Sequence, residues 1–187
     1  MLLGYAMNFP DIKSDMLSNF DAGECAKYKN IYELNTLNPK FKLKRNKYSI
    51  SSTYDGFVIV NEKFKQFCDK DNYIGLEFIP LQNETEYYWF KINNVLEFDT
   101  KQRGTEFLNY NPSCDGYEEI IGATPVCLKS NEKLGNGFYR TDICFGSYAG
   151  KSPIYLVGVD AKEKLIGSGF KEIYFEEIHD KYAWENN

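Results

Sequence analysis

The clearest alternation of hydrophobic and polar positions begins at Asp55, where an Asp-Gly pair precedes FVIVNEKFKQFCDKDNYIGLEFIPL. Phe57 to Val60 is an unbroken apolar run and predicts a strand. Asn61 is placed to cap a helix, and Phe64, Phe67 and Cys68 recur at the i, i+3, i+4 spacing of a single helix face. Leu76 to Leu81 then alternates into a second strand. The same order returns near the C-terminus as PIYLVGVDAKEKLIGSGFKEIYFEEI. Setting Val60 against Val159 places Asn61 on Asp160, Lys63 on Lys162 and Lys65 on Lys164. A helix and turn two residues shorter then bring Tyr73 onto Phe170, Leu76 onto Ile173, Phe78 onto Phe175 and Leu81 onto Ile178. Residues 57–81 and 154–178 therefore read as a diverged internal repeat of strand, helix and strand.

Between the repeats, ETEYYWFKINNVLEFD is dense in aromatic and β-branched residues, and Tyr87 to Val95 predicts one or two strands. Further short strands follow, broken by the turn chemistry of NPSCDG and GATP, and GNGFYRTDICFGSY predicts a strand pair. Residues 1–50 are the least periodic part and suggest one or two short helices. They end in KFKLKRNKY, where basic residues alternate with Phe41, Leu43 and Tyr48 as in an edge strand with one wet face. The fold class expected is α+β: predominantly antiparallel sheet, with two diverged strand-helix-strand units whose helices pack on it. Residues 1–50 are expected to form an N-terminal extension packed on a main domain of residues 51–187.

Composition supports a real core, since 43% of the 187 residues are hydrophobic and 14 Phe and 15 Tyr are among them. With 22 Lys and Arg against 27 Asp and Glu, the chain lacks the basic balance that phosphate neutralisation needs, so nucleic acid is not an expected partner. No apolar stretch approaches a membrane span, and MLLGYAMNFP has neither the basic start nor the apolar length of a secretory signal. The five cysteines, at 25, 68, 114, 127 and 144, form no CxxC and are odd in number, which suggests a reducing compartment and a cytoplasmic location.

Candidate chemistry is sparse. His179 is the one histidine, and a thiol nucleophile built from it with Cys25 or Cys144 has no local support. Glu84 and Glu86, with Glu97 and Asp99, offer carboxylates, but residues two apart in a strand share a face and a wet strand face explains them. LGNGF, IGSGF and FGSYAG lack the spacing of a phosphate-binding loop and read as turns, with the glycine of IGSGF ending a helix. No catalytic residue, metal ligand or cofactor is expected. The aromatic run Tyr87, Tyr88, Trp89 and Phe90 is the sharpest binding feature, with Tyr88 and Phe90 assigned to the core. Trp89, Tyr87 and Trp184, with Glu84 and Glu86, are the candidate partner-binding residues.

The order VNEKFK, then GLEFIPL, then YYWFKINNVLEFD, then a closing strand, helix and strand ending in GFKEIYFEEI resembles a family of immunity proteins from bacterial polymorphic toxin systems. The resemblance covers about residues 55–180, with Lys91 and Ile92 departing from the family's leucine and asparagine. It implies a non-enzymatic antidote, without cofactor, that binds and blocks a cognate toxin domain in the cytoplasm of the producing cell. A basic, nuclease-like toxin would suit the acidic chain, and self-association stays open. The alternative is a small-molecule-binding protein or enzyme with a pocket between the two units, where groups such as Glu97, Arg140 and Asp142 would converge.

Overall fold

A computed structural model describes residues 1–44 and 48–182. The chain opens on β1 (Leu2–Asn8), makes a 3-10 turn at Ala26–Tyr28 and a one-turn helix α1 (Ile31–Leu34), and enters β2 (Ile50–Ser52). The first unit follows as β3 (Val58–Asn61), α2 (Glu62–Lys70) and β4 (Leu76–Leu81), continued by β5 (Glu84–Ile92). After β6 (Val95–Leu96) and α3 (Thr100–Arg103), β7 (Glu106–Asn111) and β8 (Gly116–Ile121) form a hairpin. GNGFYRTDICFGSY supplies a single ten-residue strand, β9 (Phe138–Ser147), in place of the expected pair. The second unit is β10 (Ser152–Val157), α4 (Val159–Gly167) and β11 (Tyr174–His179).

These strands make two sheets, one of four in the order β2-β3-β5-β4 and one of seven in the order β11-β1-β10-β9-β8-β7, with β6 beside β9. Every pairing between named strands is antiparallel except β6 with β9. The fold is thus α+β, mostly antiparallel, with helices packed against the sheets, as the hydrophobic pattern predicts. Both units share one topology. In each, the two strands flanking the helix run parallel to one another and are separated by a single antiparallel strand: β5 between β3 and β4, β1 between β10 and β11. Residues 2–8 therefore lie inside the larger sheet, hydrogen-bonded on both sides, and are not part of an extension laid on a separate domain. The sequence hid this strand because LLGYAMN is buried on both faces and carries no two-residue alternation.

The geometry of the units repeats more closely than the sequence comparison anticipated. Both helices have nine residues, so the expected two-residue shortening of the second does not occur. Asn61 corresponds to Gly158, and Phe64 and Cys68 correspond to the buried Ala161 and Leu165. The caps coincide. Asp71 and Ser168 end the helices, the left-handed Asn72 (φ 52°) and Gly169 (φ 82°) follow, and Tyr73 and Phe170 donate back to the carbonyls of Cys68 and Leu165 at 3.2 and 3.3 Å.

Three layers of apolar side chains result. The central one joins both helices to one face of each sheet, where Phe64 lies 5.2 Å from Phe170, 5.3 Å from Phe90 and 6.1 Å from Phe138. A second layer behind the larger sheet holds Phe98, Val126, Leu128 and Phe145. A third, of Ile12, Met16, Ile31, Phe41, Phe57 and Trp89, covers the far face of the smaller sheet. The expected edge strand in KFKLKRNKY does not form over residues 41–44, and residues 45–47 lie outside the described residues. Phe41 instead plugs the third layer, and β2 is the edge strand beside β3.

Candidate partner-binding surface

The smaller sheet is apolar on both faces, and that decides the fate of the aromatic run. Successive β5 side chains point to opposite faces, so Trp89 enters the third layer while Phe90 enters the central one. Trp89 is fully buried, with ring centroids 5.1 Å from Phe57 and 6.1 Å from Tyr32. It cannot touch a partner, which corrects its assignment to a binding face. Tyr87 is half-buried against the same layer. Glu84 accepts the Leu43 backbone N–H at 2.8 Å, and Glu86 is exposed. Trp184 lies outside the described residues. These residues do not assemble an exposed aromatic patch.

The alternative pocket residues do not converge either. Arg140 stacks on Tyr32 at 4.1 Å and donates from Nε to the Ile92 carbonyl at 2.9 Å. Asp142 accepts the Phe98 and Ile143 backbone N–H groups at 2.8 and 2.9 Å, and Glu97 forms a surface pair with Lys129 at 2.7 Å. Arg140 and Asp142 thus hold backbone in place, and Glu97 is engaged in an exposed pair apart from them. A cleft of about 390 Å³ does open between the two sheets, with Asn8, Thr53, Tyr54, Thr124 and Ser152 among its lining, but it contains none of them. The thiol site is not assembled: Cys25 is in a disulfide, Cys144 is buried with its thiol pushed up to about 12 by desolvation, and His179 pairs with Glu177 at 2.9 Å.

Exposed aromatic surface gathers instead on the β7–β8 hairpin, at the edge of the larger sheet. β8 pairs with β9 only at Glu119 with Ser147 and Ile120 with Gly146, so the rest of the hairpin runs on without that support. Asn109 adopts a left-handed conformation (φ 55°) in the middle of β7 and breaks the alternation there. Phe107 and Tyr110, three residues apart, consequently both lie against Tyr117, at 5.2 and 5.0 Å between ring centroids. Phe107 is 38% and Tyr110 51% exposed, with Ile121 at 40% beside them. The hairpin is also one-signed. From Gly104 to Ile121 the chain carries Glu106, Asp115, Glu118 and Glu119 and no Lys or Arg.

The hairpin's turn is fastened to the start of the chain. Cys25 and Cys114 form a disulfide with 5.4 Å between Cα atoms, which corrects the reading of all five cysteines as reduced. Gly116 sits so close to the 3-10 turn that a Cβ there would come within 2.3 Å of the Tyr28 carbonyl oxygen. Lys29 donates to the Asp115 carbonyl at 3.3 Å, and Lys27 lies 3.8 Å from the Glu118 carboxylate. Beneath them the buried Lys151 donates to the carbonyls of Lys27 (2.7 Å), Glu118 (3.3 Å) and Tyr148. Burial pushes its ammonium down to about 8, with Glu33 and Glu118 pulling the other way. Sequence reasoning missed this surface because neither Asn109's conformation nor a cysteine pairing across 89 residues leaves a local signal.

Fold and surface together define a two-sheet α+β protein that presents a tethered, acidic, aromatic edge hairpin. Neither a scan against protein-family models nor a search of curated proteins returns a match to the chain. Among the described residues, no helix is long and apolar enough to cross a membrane.

Proposed function

We propose that this is a non-enzymatic binding protein, an antidote that neutralises a cognate toxin domain in the producing cell's cytoplasm, and that the β7–β8 hairpin is its contact surface. The observation that carries the proposal is the cluster in which the exposed Phe107 and Tyr110 lie against the half-buried Tyr117, on a hairpin fixed at both ends. Tyrosine offers large contact area at low entropic cost, and a surface held in place before binding loses little freedom on association. The four carboxylates of the hairpin, with no Lys or Arg from Gly104 to Ile121, suit a basic, nuclease-like partner and would speed its approach. The reading needs no cofactor, nucleic acid or membrane, and the resemblance of VNEKFK, GLEFIPL and YYWFKINNVLEFD to immunity proteins supports it.

The test is to co-express the chain with candidate toxin domains encoded by neighbouring genes. Restored growth and a stoichiometric complex are expected. Tyr110→Ala combined with Phe107→Ala should weaken that complex by about 10- to 1,000-fold, read by calorimetry, while the fold is retained. A toxic neighbour that is neither bound nor neutralised would overturn the antidote reading, and a complex indifferent to the double variant would remove the hairpin from it. A second reading rests on the 390 Å³ cleft, whose size falls within the roughly 300–1,000 Å³ of small-ligand sites. A thermal shift by a small metabolite, abolished by filling the cleft with Ser152→Phe, would support that reading instead.

A further inference from the structure

We infer that the Cys25–Cys114 disulfide is a redox-responsive clasp that sets whether the β7–β8 hairpin is held ready for a partner. Its effect on binding rests on the function proposed above; its effect on the hairpin does not. The two cysteines differ from the other three. Cys68, Cys127 and Cys144 are buried, and burial raises the thiols of Cys68 and Cys144. Cys25, just before the 3-10 turn, and Cys114, in the surface turn 112–115, are only half-buried. A dithiol can therefore reach this pair while the remaining thiols stay shielded.

Besides the disulfide, the turn is held by close packing of Gly116 on the Tyr28 carbonyl, a side-chain hydrogen bond between Tyr28 and Asn111, and a few polar contacts, all of them non-covalent. The hairpin's ladder to β9 stops at Glu119 and Ile120, and Lys151 grips it at Glu118, several residues short of Cys114. Among the polar contacts are the Lys29 bond to the Asp115 carbonyl and the Lys27–Glu118 pair, long at 3.8 Å and open to water on the lysine side, where an ion pair contributes little. The disulfide is thus the one covalent link between the turn and the body of the fold. In the glutathione-buffered cytoplasm that the proposed function implies, such a bond would seldom be merely structural, since those that form there are mostly transient and redox-sensing.

The exchange balances with a dithiol reductant. Its thiolate attacks one sulfur of the pair, the S–S bond breaks and a mixed disulfide forms. Its second thiol then closes a cyclic disulfide, leaving Cys25 and Cys114 as thiols and the reductant oxidised by two electrons.

The experiment is amide hydrogen exchange by mass spectrometry on the whole chain, equilibrated first with oxidised glutathione and then with dithiothreitol. Thiol titration in denaturant should count three thiols in the oxidised form and five in the reduced one. Peptides spanning residues 106–121 should exchange about tenfold faster after reduction, with β1 and β10 unchanged. The double variant Cys25→Ser with Cys114→Ser should match the reduced form in either buffer. Five thiols after oxidation, or equal exchange of the hairpin in both states, would overturn the clasp. With the toxin domain added, tighter binding by the oxidised form is expected. Equal binding by both forms would defeat the regulation and leave the antidote standing. Binding by neither would defeat the antidote, and the exchange result would still judge the clasp.

Discussion

Trp89 and Tyr110 are both large aromatic residues on strands, yet their neighbourhoods give them opposite roles. Trp89 is enclosed by Phe57, Tyr32 and the third apolar layer, so Trp89→Ala is expected to lower the unfolding free energy by about 3–5 kcal/mol, measured by urea denaturation. Tyr110 is half exposed, so Tyr110→Ala should move stability by no more than about 1 kcal/mol in the same measurement. The reverse ranking would return Trp89 to the surface. Single residues were legible in the sequence where their role is local. Asn61 caps α2 by accepting the Phe64 N–H at 3.1 Å, and Gly169 ends α4 in a left-handed conformation, because both act on backbone a few residues away. Exposure of an aromatic residue depends on what covers the strand, and here residues 10–44 cover it.

At the scale of elements, the two strand-helix-strand units were readable because each fits within about 25 residues, so apolar periodicity carries them. Their alignment was not. Matching Asp160 to Asn61 sought a side-chain cap for both helices, but the N-cap of α4 is Gly158, which has no side chain to offer. Glycine is required there by space: a Cβ at Gly158 would stand 1.8 Å from the Gly135 carbonyl oxygen, where the loop before β9 crosses the end of β10. Gly158→Ala is therefore expected to cost at least about 1–3 kcal/mol, seen as a lower midpoint in thermal unfolding. Asn61→Ala, which removes only a cap, should cost about 1 kcal/mol. A neutral Gly158→Ala would mean that the loop yields without strain.

For the whole molecule, the decisive connections are long in sequence. β1 pairs with β10 and β11, which lie near the other end of the chain, and the Met1 carbonyl accepts the Asp180 N–H at 3.1 Å. Removing residues 1–8 would strip a strand from inside the larger sheet and expose the Leu3, Ala6 and Met7 positions of two apolar layers. Loss of cooperative unfolding and of the near-ultraviolet circular dichroism signal is expected from that truncation. A truncated chain that still melts cooperatively would restore the first residues to the status of an extension.

The sequence by itself determined the α+β class, the two units, the Asn61 cap and buried face of α2 and the glycine that ends α4, since each follows from local periodicity and turn chemistry acting over one or two turns of chain. Only the tertiary structure decided which faces were covered, that β1 completes the second unit, that Cys25 meets Cys114, and that Phe107 and Tyr110 share one side of the hairpin. Those outcomes depend on strand order and on a single left-handed residue, and neither distant pairing nor one backbone angle leaves a periodic trace in the order of amino acids.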